Sequence, residues 1–140
     1  MLTLDEMIER GGGIVSRSEW VKHKDFSGMY VRVGRKYIAG EVHEHVIDLA
    51  NIQAKKTGKG AFKKLIVYLR EHWSEHDIHV ENVLTERFRD GLKRMGFIDT
   101  GTPHCYWLPR SRQLTNMAKE ERPRSSSGLV RTRLSTRSIY

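Results

Sequence analysis

The chain has 140 residues, of which 38% are hydrophobic and 30% charged, so it is long enough for one domain with a hydrophobic core. Its single cysteine, Cys105, excludes an intrachain disulfide framework and a cysteine-rich zinc site, and we expect a packed, reduced thiol in a cytoplasmic protein. The acidic start MLTLDEMIER is not typical of a signal peptide, and no run approaches the ~18 apolar residues of a membrane span, so we expect no membrane contact.

The formal net charge of +8 is concentrated near the end of the sequence. Residues 109–140 contain eight basic and two acidic residues, a net charge of +6, which leaves +2 for residues 1–108. We therefore predict a folded domain over 1–108 and a basic extension over 109–140, which is too poor in apolar residues to form a core alone. The basic tail, residues 110–140, either contacts a protein partner or an anionic surface or only aids solubility.

Hydrophobic periodicity predicts seven elements in chain order. They are a helix over 2–9, strands over 29–38 and 41–53, a helix from Ala61, a strand over 77–83, a helix over 85–95 and strand-like residues over 97–108. Glycines mark the ends and turns: those after Arg10 end the first helix, Gly34 bends the first strand, Gly40 marks a turn and Gly96 ends the last helix. Residues 14–25 have too mixed a pattern for an assignment. The alternation of strands and helices predicts an α/β fold in which the strands around the helix from Ala61 are parallel.

The predicted strand over 41–53 changes phase along its length. Ile47 and Leu49 point to one face, but Ala50 and Ile52 point to the other. Either both faces of this strand are buried, or a bulge near Ala50–Asn51 resets the register.

Two glycines, Gly58 and Gly60, lie between lysines where this strand meets the next helix. A glycine backbone approaches a ligand closely, and the free amides and the positive end of the helix dipole favour a phosphate group there. The string does not match a P-loop or a dinucleotide-binding fingerprint. By itself it is equally compatible with a basic loop.

The string KKTGKG at 55–60 resembles the Gln/Arg-x-x-Gly-x-Gly/Ala signature of the GNAT acyltransferases, which also follows a strand and begins a helix. A second string, VENVLTERFRDGLKRMGF at 80–97, resembles the later strand–helix segment of that family. Together the two cover roughly residues 41–108, and the chain is similar to small GNAT-like proteins often encoded by bacteriophages. The resemblance implies a GNAT-like mixed, mostly antiparallel central sheet with flanking helices, in the cytoplasm of a host cell or in a virion.

The resemblance also implies acetyl-CoA as the donor substrate of an N-acyltransferase, with direct transfer to a small amine or a protein amine in a ternary complex. The pantetheine would lie along Asn51–Ala54 and the pyrophosphate on the amides from Lys55 to Ala61. The implied donor-binding residues are Asn51, Ile52, Gln53, Lys55, Thr57, Gly58, Lys59, Gly60 and Ala61.

For catalysis, the resemblance implies Glu44 as the base and Thr85 at a helix-start position, where its hydroxyl would cap the helix or contact the cofactor. A leucine, Leu92, stands where the family usually has the tyrosine that reprotonates the leaving thiolate. An alternative is therefore a catalytically degenerate GNAT-fold binding or structural protein, such as a virion component that docks through its tail.

Two further sites are weaker predictions from the residues alone. His43 and His45 would share a strand face, and His72 and His76 a helix face, but no third metal ligand is evident, so we expect no metal. Basic and aromatic residues at 30–37 are compatible with single-stranded nucleic acid, which the small net charge of the body disfavours.

Overall fold

The structure, a computed structural model, describes residues 1–11 and 16–110. The elements in chain order are α1 (Leu4–Arg10), β1 (Arg17–Trp20), β2 (Phe26–Ile38), β3 (Glu41–Ala54), α2 (Ala61–His72), β4 (Asp77–Val80), α3 (Glu86–Met95), β5 (Ile98–Asp99) and β6 (Tyr106–Leu108). The predicted helices and long strands are confirmed to within a few residues. Strand β1 lies within 14–25, the segment to which the sequence assigns no element. The predictions for the tail beyond residue 110 concern residues outside the described ones.

The strands form one six-stranded sheet in the order β1-β2-β3-β4-β6-β5. Strands β3 and β4 are parallel, as predicted for the strands around α2, and the other four neighbouring pairs are antiparallel. The chain therefore has an α/β fold with a mixed, mostly antiparallel sheet and three described helices.

One face of the sheet forms the hydrophobic core. Cross-strand partners such as Val33, Ile47 and Ile78 point to this face, and the buried side chains of all three helices join the same cluster. Phe62 of α2 packs edge-on against Phe88 of α3, with ring centroids 5.1 Å apart. The described helices thus cover one face of the sheet.

Helix α1 is fastened to this core by local and long-range polar contacts. Thr3 and Glu6 form a capping box at its start, as their side chains accept from each other's backbone amides. Asp5 then accepts hydrogen bonds from Tyr68 at 2.5 Å and from Trp73 at 2.8 Å. These two hydrogen bonds place α1 beside α2.

A bulge at Ala50 explains the change of phase in β3. Leu49 pairs with Val31 and Asn51 pairs with Tyr30, so Ala50 is the extra residue. Because of this insertion, Ile52 packs against the same core as Leu49. Both predicted explanations therefore hold, since β3 also buries consecutive residues of both faces from Val46 to Ala50. No helix among the described residues combines the length and apolar character that a membrane span requires.

Candidate functional site

The parallel strands β3 and β4 diverge immediately before the bulge. Their pairing runs from Val46 opposite Asp77 to Leu49 opposite Val80 and then ends. The Glu81 amide still donates to the Leu49 carbonyl at 3.1 Å, but residues 51–54 of β3 pair only with β2. Beyond this strand divergence, one edge of β3 has no strand partner among residues 1–11 and 16–110.

Asn82 turns the chain away from β3 at this point. It has a positive φ of 61°, which few residues other than glycine adopt. Its side-chain amide donates to the Ala50 carbonyl at 2.7 Å, so it supports the bulge while its backbone leaves the sheet. A left-handed asparagine at such a place is a feature that strained functional sites often contain.

The glycine turn, residues 55–60, follows directly from the open edge of β3. Gly58 and Gly60 both have left-handed backbones, with φ of 78° and 75°. Gly60 is the N-cap of this twelve-residue helix and, as a glycine, has no side chain with which to cap it. A Cβ added to Gly60 would meet nothing within 4 Å. The space beside the Gly60 backbone, at the start of α2, is therefore open.

Positive side chains from two elements surround this turn. Lys55, Lys56 and Lys59 are exposed within it. Arg87, in the first turn of α3, comes close as well, since a Cβ on Gly58 would lie 4.0 Å from its Nη2 atom. The combination of left-handed glycines, helix amides and cations suits a phosphate-containing ligand.

An acid cluster, Asp48, His79 and Glu81, lies on the polar face at the strand divergence. Asp48 is only 1% exposed, and its Oδ1 atom accepts from His79 Nδ1 at 2.9 Å. Arg32 Nη1 lies 3.0 Å from Glu81 Oε2 and 3.4 Å from Asp48 Oδ2. Lys36 Nζ lies 3.4 Å from Asp48 and 3.6 Å from Glu81. Two cations therefore balance two carboxyl groups.

The two carboxyl groups of the cluster differ in proton affinity. Burial alone would raise the pKa of Asp48, but hydrogen bonds with His79 and Glu81 and the charge of Lys36 bring it below its ordinary value. Burial, followed by the hydrogen bond to Asp48 and its charge, raises the pKa of Glu81. Asp48 is thus the ionised member, and Glu81 keeps its proton to higher pH than an ordinary glutamate.

The same cluster is the one group in the described residues whose geometry could hold a metal ion. One ligand atom from each of its three residues lies within 4.8 Å of the others. Arg32 and Lys36 already approach the carboxylate oxygens, however, and a metal would have to displace both cations. The arrangement is therefore better suited to holding and moving a proton.

The structure does not bring the predicted base, Glu44, into this site. Glu44 is exposed and pairs with Arg35 at 3.2 Å. It precedes Ala50 by six residues, roughly 20 Å along an extended strand. The position two residues before the bulge belongs to Asp48 instead.

The other predicted site residues have clear positions. Residues 51–54 form the open edge of β3 and lead into the turn, so the proposed donor-binding residues lie in one continuous stretch. Thr85 is the N-cap of α3 and accepts from the Phe88 amide at 3.2 Å, which is one of its two predicted roles. Leu92 is completely buried in the core and offers no hydroxyl.

The predicted helix pair of His72 and His76 does not form. Helix α2 ends at His72, so His76 is not on its face. His76 instead lies against His45, with ring centroids 5.7 Å apart. His43 is 3.0 Å from Asp77 and packs on Trp107.

Sequence reasoning missed the acid cluster, although a signal for it exists. In the predicted strand 77–83, His79 and Glu81 alternate with Ile78 and Val80, which places both polar side chains on one face. Asp48 interrupts an apolar run in the strand predicted to be parallel to it. Pairing the two strands in register would have joined the three residues.

Comparisons of the chain with protein-family models, with curated proteins and with solved structures gave no significant match.

Proposed function

We propose that the chain is an acyl-CoA-dependent N-acyltransferase that transfers an acetyl group directly to an amine within a ternary complex. The main support is that one strand, β3, first loses its parallel partner after Leu49 and then leads at Ala54 into the glycine turn. An open strand edge and a helix whose N-cap is a glycine thereby follow each other along the chain. This is the order of the pantetheine and the pyrophosphate in coenzyme A.

The residues present fit such a donor. The open edge at 51–54 offers backbone groups that lack a strand partner on that side, and the amide groups of a pantetheine arm can bond to them. At the turn, Gly58 and Gly60 leave space for a diphosphate, and the lysines with Arg87 match its negative charge. The reacting thioester would then lie near the bulge at Ala50.

Glu81 is the proposed base in place of Glu44. An amine acceptor is protonated at neutral pH and must lose a proton before its nitrogen can attack the thioester carbonyl. The raised pKa of Glu81 makes its carboxylate a stronger base than that of an ordinary glutamate, and it sits at the divergence. Arg32 and Lys36, which contact both Glu81 and the His79-bound Asp48, hold the Glu81 carboxylate in place.

After attack, the carbon–nitrogen bond forms and the carbon–sulfur bond breaks, and the leaving thiolate needs a proton. Leu92 has none to give. Protonated Glu81 can return one to the sulfur, so the same side chain serves both steps and the second proton of the amine is released to water. The rate should therefore rise with pH as Glu81 loses its proton.

Calorimetry with acetyl-CoA is the first test of this function. We expect saturable binding, and an absence of heat at millimolar ligand would refute the proposal. Release of free thiol from acetyl-CoA in the presence of a panel of amines then tests for turnover. Reactions without acetyl-CoA and reactions without the protein are the controls.

A second candidate is a catalytically degenerate binding or structural protein, such as a virion component. The complete burial of Leu92 favours it, because no hydroxyl stands where the family's acid would be. This candidate predicts acetyl-CoA binding without thiol release, or no binding at all. It also assigns partner contacts to the tail, so that deleting 110–140 would abolish assembly with those partners.

A further inference from the structure

A lysine of the chain itself, Lys36 of β2, holds its amine against the proposed base. The Lys36 Nζ atom lies 3.6 Å from Glu81 Oε2 and 3.4 Å from Asp48 Oδ2. The Lys36 side chain is 29% exposed, so it is only partly enclosed by the fold. The proposed reaction needs a primary amine within reach of Glu81, and the fold already places one there.

Arg32 makes the tighter contacts with the same two carboxyl groups. Its Nη1 atom donates hydrogen bonds to Glu81 at 3.0 Å and to Asp48 at 3.4 Å. A guanidinium is a planar, rigid fork, whereas a lysine amine ends a flexible four-carbon stem. Arg32 can therefore keep the acid cluster in place while the Lys36 amine leaves its ion pair.

The amine also lies at the end of the proposed donor edge. The Glu81 amide donates to the Leu49 carbonyl at 3.1 Å, where β3 and β4 part, and the open edge at 51–54 begins just beyond Ala50. A donor bound along that edge brings its thioester to the bulge, beside the Glu81 backbone. The Lys36 amine, in contact with the Glu81 carboxyl group, then neighbours the thioester.

The acid cluster provides a proton acceptor for this amine. A lysine amine is charged at neutral pH and must lose a proton before it can attack a carbonyl. Burial, followed by the hydrogen bond to Asp48, raises the pKa of Glu81, so proton transfer from Lys36 to Glu81 costs less than transfer to Asp48. Contacts between a base and its substrate are often long before the complete complex forms, which is compatible with the 3.6 Å separation.

We propose that Lys36 is an acceptor of the acyltransferase, so that the chain acetylates its own side chain at this position. Glu81 takes one proton from the ammonium group, and Nζ attacks the thioester carbonyl carbon. The carbon–nitrogen bond forms, the carbon–sulfur bond breaks, Glu81 returns its proton to the thiolate, and the second proton lost by Nζ is released to water. This inference rests on the proposed N-acyltransferase function.

Self-acetylation changes the charge balance of the acid cluster. The acetylated Lys36 is uncharged, so Arg32 is left to offset both carboxyl groups. Burial is the main cause of the raised pKa of Glu81, and the charge of Lys36 opposes that rise. Losing this charge therefore raises the pKa of Glu81 further and moves the pH profile for other amines upward. Lys36→Gln should show this upward shift and Lys36→Arg should not; coinciding profiles would refute this consequence.

Peptide mass spectrometry of the full chain, sampled over time with acetyl-CoA, tests self-acetylation. Lys93, exposed in the last turn of α3, is the internal reference for uncatalysed acetylation. We expect Lys36 to be acetylated at least about tenfold faster than Lys93, since a positioned base contributes that much or more. Glu81→Gln should reduce the rate at Lys36 to that at Lys93 and leave Lys93 unchanged.

A second variant keeps the test decisive if Glu81→Gln fails to fold. Gly60→Ala, in the proposed donor site, should slow acetylation of Lys36 but not of Lys93 when acetyl-CoA is below saturation. Acetyl-CoA binding and turnover of added amines, with Lys36 modified no faster than Lys93, would overturn self-acetylation and leave the acyltransferase function standing. Acetylation of Lys36 that neither variant slows is uncatalysed and would overturn it too, whereas an absence of acetyl-CoA binding refutes both proposals.

Discussion

The replacement Gly60→Ala tests the glycine turn with a cost that can be calculated. Gly60 has a φ of 75°, and an added Cβ meets nothing within 4 Å, so the only folding penalty is the left-handed backbone, about 1 kcal/mol. The methyl group would enter the open space in front of the α2 amides. We therefore expect acetyl-CoA to bind at least about tenfold more weakly, which is about 1.4 kcal/mol.

Gly40→Ala provides the matched control for this experiment. Gly40 also has a positive φ, 89°, with nothing within 4 Å of its added Cβ, but it lies at the opposite end of β3. Its stability loss should equal that of Gly60→Ala, with unchanged acetyl-CoA affinity. Gly60→Asn separates the effects further, because asparagine tolerates the left-handed region and still places a side chain in the turn.

Denaturant unfolding gives the free energy of unfolding of these three variants, and calorimetry gives their affinity for acetyl-CoA. If Gly60→Ala and Gly40→Ala lower the affinity equally, the effect is one of stability and the turn is not a phosphate site. If neither variant lowers the affinity for acetyl-CoA, the donor binds elsewhere and the glycine turn is not its site.

Three other predictions follow from the site and its supports. Glu81→Gln should abolish the rise of the acylation rate with pH, whereas Glu44→Gln should leave the pH profile unchanged; the reverse result would restore Glu44 as the base. Asp5→Ala removes the acceptor of the Tyr68 hydroxyl and of the Trp73 indole N–H, and should lower the free energy of unfolding by about 1–3 kcal/mol in urea titrations. An unchanged free energy of unfolding would contradict this prediction. Burial, and then the charge of His45, lowers the pKa of His76 below 6.5, so its contribution to the free energy of unfolding is complete above that pH and declines below it. His76→Asn should therefore flatten the decline of the unfolding free energy between neutral pH and about pH 5. Parallel plots of unfolding free energy against pH for the variant and the wild type would exclude His76 as the source of the decline.

Most of the secondary structure could be predicted because its signals are local. The apolar stripe of α2 and the left-handed cap at Gly96 each depend on residues within one or two turns. Strand β1 has only four residues of alternating exposure, so it forms through pairing with β2 and not through its own propensity. Such a strand has no clear sequence signal.

The candidate site could be predicted only where it is continuous in sequence. The open edge and the glycine turn lie within residues 51–60, so the predicted donor-binding residues fall in one stretch. The acid cluster combines residues more than 30 positions apart, and only the parallel register of β3 and β4 brings Asp48 to His79. The resemblance implies Glu44 as the base, but the sequence does not show the irregular register of β3 between Glu44 and the divergence.

The bulge at Ala50 connects the separate parts of the proposed site. Because it inserts one residue into β3, Leu49 and Ile52 both remain in the core while Asn51 is exposed beside Tyr30. The carbonyl of the inserted residue binds the Asn82 side chain, and Asn82 in turn directs the β4 chain away from the open edge. In a strand of the same residues without the bulge, regular alternation from Leu49 would turn Asn51 into the core and Ile52 away from it. The inserted residue thus lies where β3 and β4 part, beside Glu81 and at the start of the edge along which the donor is proposed to bind.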